Sequence, residues 1–142
     1  MYTTYSFEDV TVSFSHPSVG AFTSTGAGIG TITIAMSNDR TSQDVAADGK
    51  VMVTKGMAKN GTIAIAFQQT SALNKSLLSW YNYIDTASAS EWASMNITIK
   101  SNNLDDETIC TGVAPQKLAD RPYAAQGAHV TWTLMCAEIT QS

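Results

Sequence analysis

Ionisable side chains are scarce in this 142-residue chain. It has two cysteines, two histidines and only 14% charged residues, against about a quarter in ordinary globular domains. The eight Lys and Arg residues are scattered singly, and the formal net charge is −4. Since tight binding to phosphate depends on clustered cations, this composition argues against a protein that holds nucleic acid firmly.

Long apolar runs are also missing. No segment approaches the roughly 18 apolar residues of a membrane span, and the beginning, MYTTYSFEDVTV, has neither the basic nor the apolar region of a secretory signal. We therefore expect a chain made and kept in the cytosol, with Cys110 and Cys136 as buried thiols instead of a disulfide. The length favours a single domain over residues 1–142.

The residue types of catalytic and metal sites do not occur in workable combinations. His16 precedes a proline and His129 stands among threonines, and no nucleophile motif accompanies either. GAGIG at 26–30 is followed by a strand-like run, not by the helix of a dinucleotide-binding loop. NNLDDE at 102–107 lacks the length of a calcium loop. We expect no enzymatic activity, no metal and no cofactor, with both histidines exposed or hydrogen-bonded.

Alternation is the main positive signal. VTVSFS, GTITIAM and VTWTLMC place apolar side chains on one face and Thr, Ser or Ala on the other, which is typical of half-buried strands. One segment differs, because Leu73, Leu77 and Ile84 recur at helical spacing. With one helix among about seven strands, we predict a mainly β protein with one α-helix, built as an antiparallel β-sandwich or barrel.

Two strands are expected in KVMVTKGMAKNGTIAIAFQQT, residues 50–70. Asn60-Gly61 predicts a turn between them, because this pair tolerates positive φ. Before them, residues 37–49 (SNDRTSQDVAADG) form the most polar long segment of the chain. Hairpin loops take two to five residues, whereas about ten intervene here. The segment is either an arm with a binding role or a mobile surface loop.

Several segments carry a resemblance through their order and spacing. They are YSFEDVTVSF, ADGKVMVTKGMAKNGTIAIAFQQTSALNKSL, ITIKSNN and GAHVTWTLMCAEI, which extend from about Tyr5 to Ile139. Together they resemble the tail tube proteins of contractile-tailed bacteriophages. The resemblance implies a β-sandwich or half-barrel with a flanking helix, six copies of which form a ring with one continuous β-barrel. Rings would stack into a tube inside a contractile sheath, and genomic DNA would pass through it into the host.

The resemblance also implies partners and a location. The expected partners are further copies of the chain and the tail sheath, baseplate and tail terminator proteins. DNA would pass through the lumen without specific binding, and the chain would not insert into a membrane. It would reside in the virion tail after assembly in the host cytoplasm. The alternatives are a tube protein of a phage-tail-like contractile injection machine, or a carbohydrate-binding β-sandwich. The last needs exposed aromatics, whereas Trp80, Trp92 and Trp132 are predicted to lie in the core.

Within this interpretation, residues 37–49 become an inter-subunit arm. The arm residues are Ser37, Asn38, Asp39, Arg40, Thr41, Ser42, Gln43, Asp44 and Asp48. The candidates for lining the lumen are Thr31, Thr33, Asp39, Asp44, Thr62 and Ala64. Small, neutral or acidic side chains suit a DNA conduit, because cations on the wall would retain phosphate.

Overall fold

The computed structural model describes residues 10–25, 29–68, 70, 72–101, 104–123, 125–127 and 129–142. In chain order, its elements are β1 (Val10–His16), β2 (Gly20–Thr25), β3 (Ile29–Met36), β4 (Thr41–Val45), β5 (Val51–Lys55), β6 (Gly61–Gln68), α1 (Ala72–Thr86), a 3-10 turn (Ala89–Glu91), β7 (Met95–Ser101), β8 (Asp106–Pro115) and β9 (His129–Gln141). The prediction of a mainly β protein with one α-helix is confirmed for the described part of the chain.

Seven strands form one antiparallel sheet in the order β2-β1-β7-β8-β9-β6-β3. The strands β2 and β3 each have a single neighbour, so the sheet is open within the described residues. The antiparallel prediction is confirmed, whereas the described strands of one chain do not close a barrel. Strands β4 and β5 pair only with each other.

The core lies between one face of this sheet and α1. Alternating residues of β1, β6, β7 and β9 are buried, as the sequence pattern predicts. The helix buries Leu73, Leu77, Trp80 and Ile84 against them, which is the one-sided stripe expected from its 3.6-residue period. None of the described helices is long and apolar enough to cross a membrane.

Two of the three tryptophans are core residues. Trp80 and Trp132 are fully buried, and the Trp132 indole N–H donates to the Asn74 side-chain oxygen at 3.2 Å, which ties β9 to α1. The prediction for Trp92 is wrong, because this side chain is 36% exposed and packs at the edge of Tyr81. It follows the 3-10 turn, which leaves its outer side uncovered.

The predicted Asn60-Gly61 turn is also wrong, although both flanking strands exist. Gly61 is the first residue of β6, opposite Met36 of β3 and Cys136 of β9. Neither Asn60 nor Gly61 has a positive φ. A Cβ at position 61 would overlap the Ala35 carbonyl oxygen, so glycine permits a close approach of backbones instead of a turn.

Candidate assembly surfaces

The predicted polar arm contains the first strand and the turn of a hairpin. Its strands β4 and β5 pair from Thr41, opposite Lys55, to Val45, opposite Val51. At the tip, the Ala46 N–H donates to the Lys50 carbonyl at 2.8 Å, and the Asp48 carboxylate accepts the Lys50 N–H at 3.1 Å. Within residues 37–49, residues 41–45 are therefore paired with β5 and residues 46–49 form the turn between the two strands. We call residues 41–55 the β4–β5 hairpin.

Among the described residues, the hydrogen bonds that hold the β4–β5 hairpin to the rest of the chain lie at its base. The Gly56 N–H donates to the Arg40 carbonyl at 2.6 Å, and Arg40 Nε donates back to the Gly56 carbonyl at 2.9 Å. Next to them, Ser37 and Asn38 both hydrogen-bond Asn60. All ten strand residues of the hairpin are exposed. An isolated two-stranded hairpin is marginally stable in water, so this one is suited to being covered by another molecule.

The hairpin presents two unlike faces because strand side chains alternate. Val45, Val51 and Val53 share one face with Thr41, Gln43 and Lys55. We call it the valine face, and its three valines are 51–64% exposed. Met52 and Asp44 stand opposite each other on the other face. Sequence reasoning assigned the arm to polar residues alone and missed the valines. The run Val51-Met52-Val53 could have indicated an apolar face, because alternate residues of a strand share a side, but the pairing of β5 with β4 was not recognised.

A second surface is the side of the large sheet that faces away from α1. On it, Thr33 of β3 lies opposite Ala64 of β6, which lies opposite Thr133 of β9. Members of this neutral face alternate with the buried core residues of the same strands. The neutral face comprises Thr31, Thr33, Thr62, Ala64, Thr131 and Thr133.

Four of the six lumen candidates thus lie together on the neutral face. Asp39 and Asp44 do not: Asp39 lies in the link from β3 to β4, and Asp44 lies in the β4–β5 hairpin. Both are exposed. Where β9 begins, the neutral face borders a cavity of about 440 Å³ whose lining includes Lys117, Asp120, Arg121 and His129. This edge therefore carries charges of both signs, whereas the six residues of the neutral face carry none.

The two histidines have different settings. His16 is buried, and its Nδ1 accepts the backbone N–H groups of Ser18 at 3.1 Å and Val19 at 3.2 Å. Since Nδ1 accepts, Nε2 carries the proton and donates to the Glu91 carbonyl at 3.1 Å. His129 is exposed on β9. The expectation of hydrogen-bonded or exposed histidines is confirmed, and His16 secures the β1–β2 turn to the 3-10 turn.

Cys110 and Cys136 are free and buried, as predicted. The hydrogen bond between the two thiols, together with burial, raises the pKa of Cys136. The same hydrogen bond lowers the pKa of Cys110, because its thiolate would accept from Cys136. The pair therefore cannot lose both protons easily, and its role is to fill the core between β8 and β9.

Solved structures with the same fold come from the extracellular contractile injection system PVC and from the anti-feeding prophage. The extracellular contractile injection system PVC, in its sheath/tube terminator structure, contains a chain with a TM-score of 0.67 and 13% identity, covering 99% of this chain and 98% of that one. A chain of the anti-feeding prophage (AFP) baseplate has a TM-score of 0.65 and 14% identity, covering 100% and 97%. A chain of the PVC sheath-tube complex has a TM-score of 0.62 and 14% identity, covering 95% and 88%.

The open sheet and its flanking helix thus define a fold that is present in the PVC sheath/tube terminator and sheath-tube structures and in the AFP baseplate structure. At the level of sequence, residues 2–142 match the family described as Bacteriophage PhiTE tail tube protein, and the chain belongs to this family. The predicted resemblance to phage tail tube proteins is confirmed. No curated protein gives a significant sequence match.

Proposed function

We propose that this protein is the structural subunit of a phage tail tube, in which hexameric rings stack inside a contractile sheath. The observation that carries the proposal is the match to a tail tube family over residues 2–142. The PVC and AFP chains with the same fold belong to sheath, tube, cap and baseplate assemblies, which supports sheath, baseplate and terminator proteins as partners. The protein would reside in the virion tail after assembly in the host cytoplasm.

The open sheet supports ring formation. Unpaired edge strands are ordinarily blunted by charge or proline, because they template pairing with other chains. The edge strand β3, IGTITIAM, carries neither. A closed ring removes such edges by pairing them between neighbours. Six copies would join their sheets into one barrel, which a single chain does not form.

The neutral face is the proposed wall of the channel. Thr31, Thr33, Thr62 and Ala64 offer duplex DNA no cation, so the phosphates gain nothing from counterion release and the duplex can slide. Six copies carry six times the −4 charge of one chain, which further opposes retention. Asp39 and Asp44 would line the lumen only where the hairpin base or the hairpin reaches the channel. No cofactor takes part in this function.

Residues 37–49 are proposed as the inter-subunit arm, extended by β5 to the whole β4–β5 hairpin. Its exposed strands and its attachment at the base support contact with a neighbouring copy. The polar arm residues, from Ser37 to Asp48, would hydrogen-bond across this interface. The hairpin would link adjacent subunits in a ring or in successive rings.

A tube subunit of a phage-tail-like injection machine without DNA is the second candidate. The structures with the same fold favour it, because they come from extracellular contractile injection systems. The two candidates share the ring, the sheath and the channel, and they differ in what passes through. Isolation of the particles that contain the chain distinguishes the two candidate functions, since only a virion tail is attached to a DNA-filled head.

Negative-stain electron microscopy of the purified protein tests the proposed function. We expect stacked rings with a stained central channel, formed either alone at high concentration or after addition of a baseplate complex that nucleates growth. A protein that stays monomeric under both conditions would contradict it. The second condition, with the baseplate complex added, is included because tube growth can require an initiator.

A further inference from the structure

An apolar groove opens between β3 and the beginning of β8. Its volume is about 470 Å³, and Ile32, Ile34, Val10 and Leu104 form much of its lining. Ile32 and Ile34 are only partly buried, and Leu104 is 56% exposed. In a single chain, the groove therefore leaves apolar surface in contact with water, which is unfavourable. We call it the β3–β8 groove.

The rim of the β3–β8 groove is acidic. Asp106, the first residue of β8, lines the groove, and its side chain is exposed. It is the only charged side chain among the described residues that line the groove. An occupant that combines apolar side chains with one cation at its edge would match this lining.

The valine face of the β4–β5 hairpin has this composition. Val51, Val53 and Lys55 are successive residues on one side of β5, with about 6.6 Å between neighbours. Lys55 stands at the base, opposite Thr41. The order along the strand is therefore two valines followed by a cation, and both valines are more than half exposed. Apolar surface and charge are each complementary to the β3–β8 groove.

We propose that the valine face of one copy docks in the β3–β8 groove of a second copy, with Lys55 next to Asp106. The hairpin of the same chain does not fill this groove, because all its strand residues are exposed and its base is fixed at Arg40 and Gly56. This inference rests on the proposed function, since it assigns the contact surface of the arm. Docking buries the valines, Ile32 and Ile34 together, and places the Lys55–Asp106 pair at the solvent-exposed rim of the groove.

Disulfide cross-linking between two different variants tests the docking. One preparation carries Val53→Cys and the other Ile34→Cys, and they are mixed under assembly conditions and oxidised. The native cysteines are buried, so they do not compete. We expect a disulfide-linked dimer in the mixture and none in either variant alone. Leu104→Cys, at an exposed position of the same groove, replaces Ile34→Cys if the latter fails to fold.

Met52→Cys is the matched control. Met52 is 61% exposed, like Val53, but it belongs to the opposite face of the hairpin. We expect no dimer when it is mixed with Ile34→Cys. An equal yield from Met52→Cys and Val53→Cys would overturn the proposal, and so would a bond formed within one chain in an Ile34→Cys/Val53→Cys double variant.

Electron microscopy of the same samples distinguishes a failure of the docking from a failure of the proposed function. Rings or tubes without a Val53–Ile34 cross-link would overturn the docking and leave the proposed function standing. Monomers alone, with the baseplate complex present, would overturn both.

Exchanging the charges of Lys55 and Asp106 tests whether the two side chains meet at the rim of the groove. Lys55→Glu and Asp106→Lys should each raise the concentration needed for assembly, by up to about five-fold per contact, because exposed ion pairs contribute about 0.2–1 kcal/mol. The double variant should return toward the wild-type value, since the pair is restored with its charges exchanged. A double variant as impaired as the sum of the single variants would show that Lys55 and Asp106 do not meet.

Discussion

At the scale of single residues, His16 illustrates how a side chain suited to catalysis can serve structure. It is enclosed, and both ring nitrogens are engaged with backbone groups of the β1–β2 turn and of Glu91. We expect His16→Leu to lower the free energy of unfolding by about 1–3 kcal/mol, because backbone donors lose their acceptor. Urea denaturation followed by circular dichroism measures the change.

The second histidine supplies the control for this substitution. His129 is exposed, so His129→Leu should change the free energy of unfolding by no more than about 0.5 kcal/mol. Equal losses for the two variants would show that the hydrogen bonds of His16 contribute nothing to stability.

The two thiols give a prediction about reactivity. Thiolate is the reactive form, and burial with the mutual hydrogen bond raises the pKa of Cys136. Although the pKa of Cys110 is lowered, its side chain has no contact with solvent. We expect native protein at pH 8 to react with Ellman's reagent only as fast as it unfolds, and denatured protein to release two equivalents at once. Val53→Cys, at an exposed position, should add one rapid equivalent without denaturant. Rapid release of two equivalents from native wild-type protein would contradict the burial of this pair.

At the scale of elements, we expect the β4–β5 hairpin to contribute to assembly and little to folding. Residues 41–55 can be replaced by Asn-Gly, because Arg40 and Gly56 are already hydrogen-bonded and this pair closes a two-residue turn. The deletion removes little buried area, so the free energy of unfolding should change by about 1 kcal/mol or less. We expect a folded monomer that no longer forms tubes, as measured by circular dichroism and electron microscopy.

If the shortened chain forms tubes of normal length, the prediction is wrong. The β4–β5 hairpin would then be a surface loop without a role in assembly. Val53→Ala alone is a milder companion variant. It should keep the hairpin pairing and weaken assembly, whereas Ser42→Ala, on the other face, should affect assembly less.

The same elements show which parts of the fold can be predicted from sequence. The alternation of β1, β6 and β9 and the period of α1 are local, so their buried faces follow from parity alone. Strand pairing is harder to predict than strand propensity. Val51–Lys55 is recognisable as a strand, and Asp48-Gly49 before it is a hairpin-turn pair in which Gly49 has a positive φ. The partner strand is nevertheless hard to recognise, because the TSQDV sequence of β4 includes Ser, Gln and Asp, which do not favour strands.

The candidate surfaces could also be predicted only in part. The alternation of side chains along a strand predicts that Thr31, Thr33, Thr62 and Ala64 lie on one side of their strands, and the register of β3 with β6 brings them together. Asp39 and Asp44 were chosen for charge and loop position, which do not determine a location in space. The β3–β8 groove could not be predicted, because it joins residues from β1, β3 and β8 through long-range contacts.

At the scale of the whole molecule, the open sheet and the composition support the same function. Two edge strands with one neighbour each, a hairpin not covered by other described residues and an uncharged sheet face are liabilities in a monomer. In the proposed stacked ring, the same features would form the seam, the link and the channel wall. The low content of Lys and Arg would then keep the channel from binding DNA.

A helical reconstruction by electron cryomicroscopy of the assembled protein tests the proposed tube. We expect six copies per ring, sheets joined across β2 and β3 of neighbouring copies into one barrel, and Thr33, Ala64 and Thr133 facing the channel. A tube whose channel is lined by α1, or rings in which the edges of the sheet stay unpaired, would contradict it.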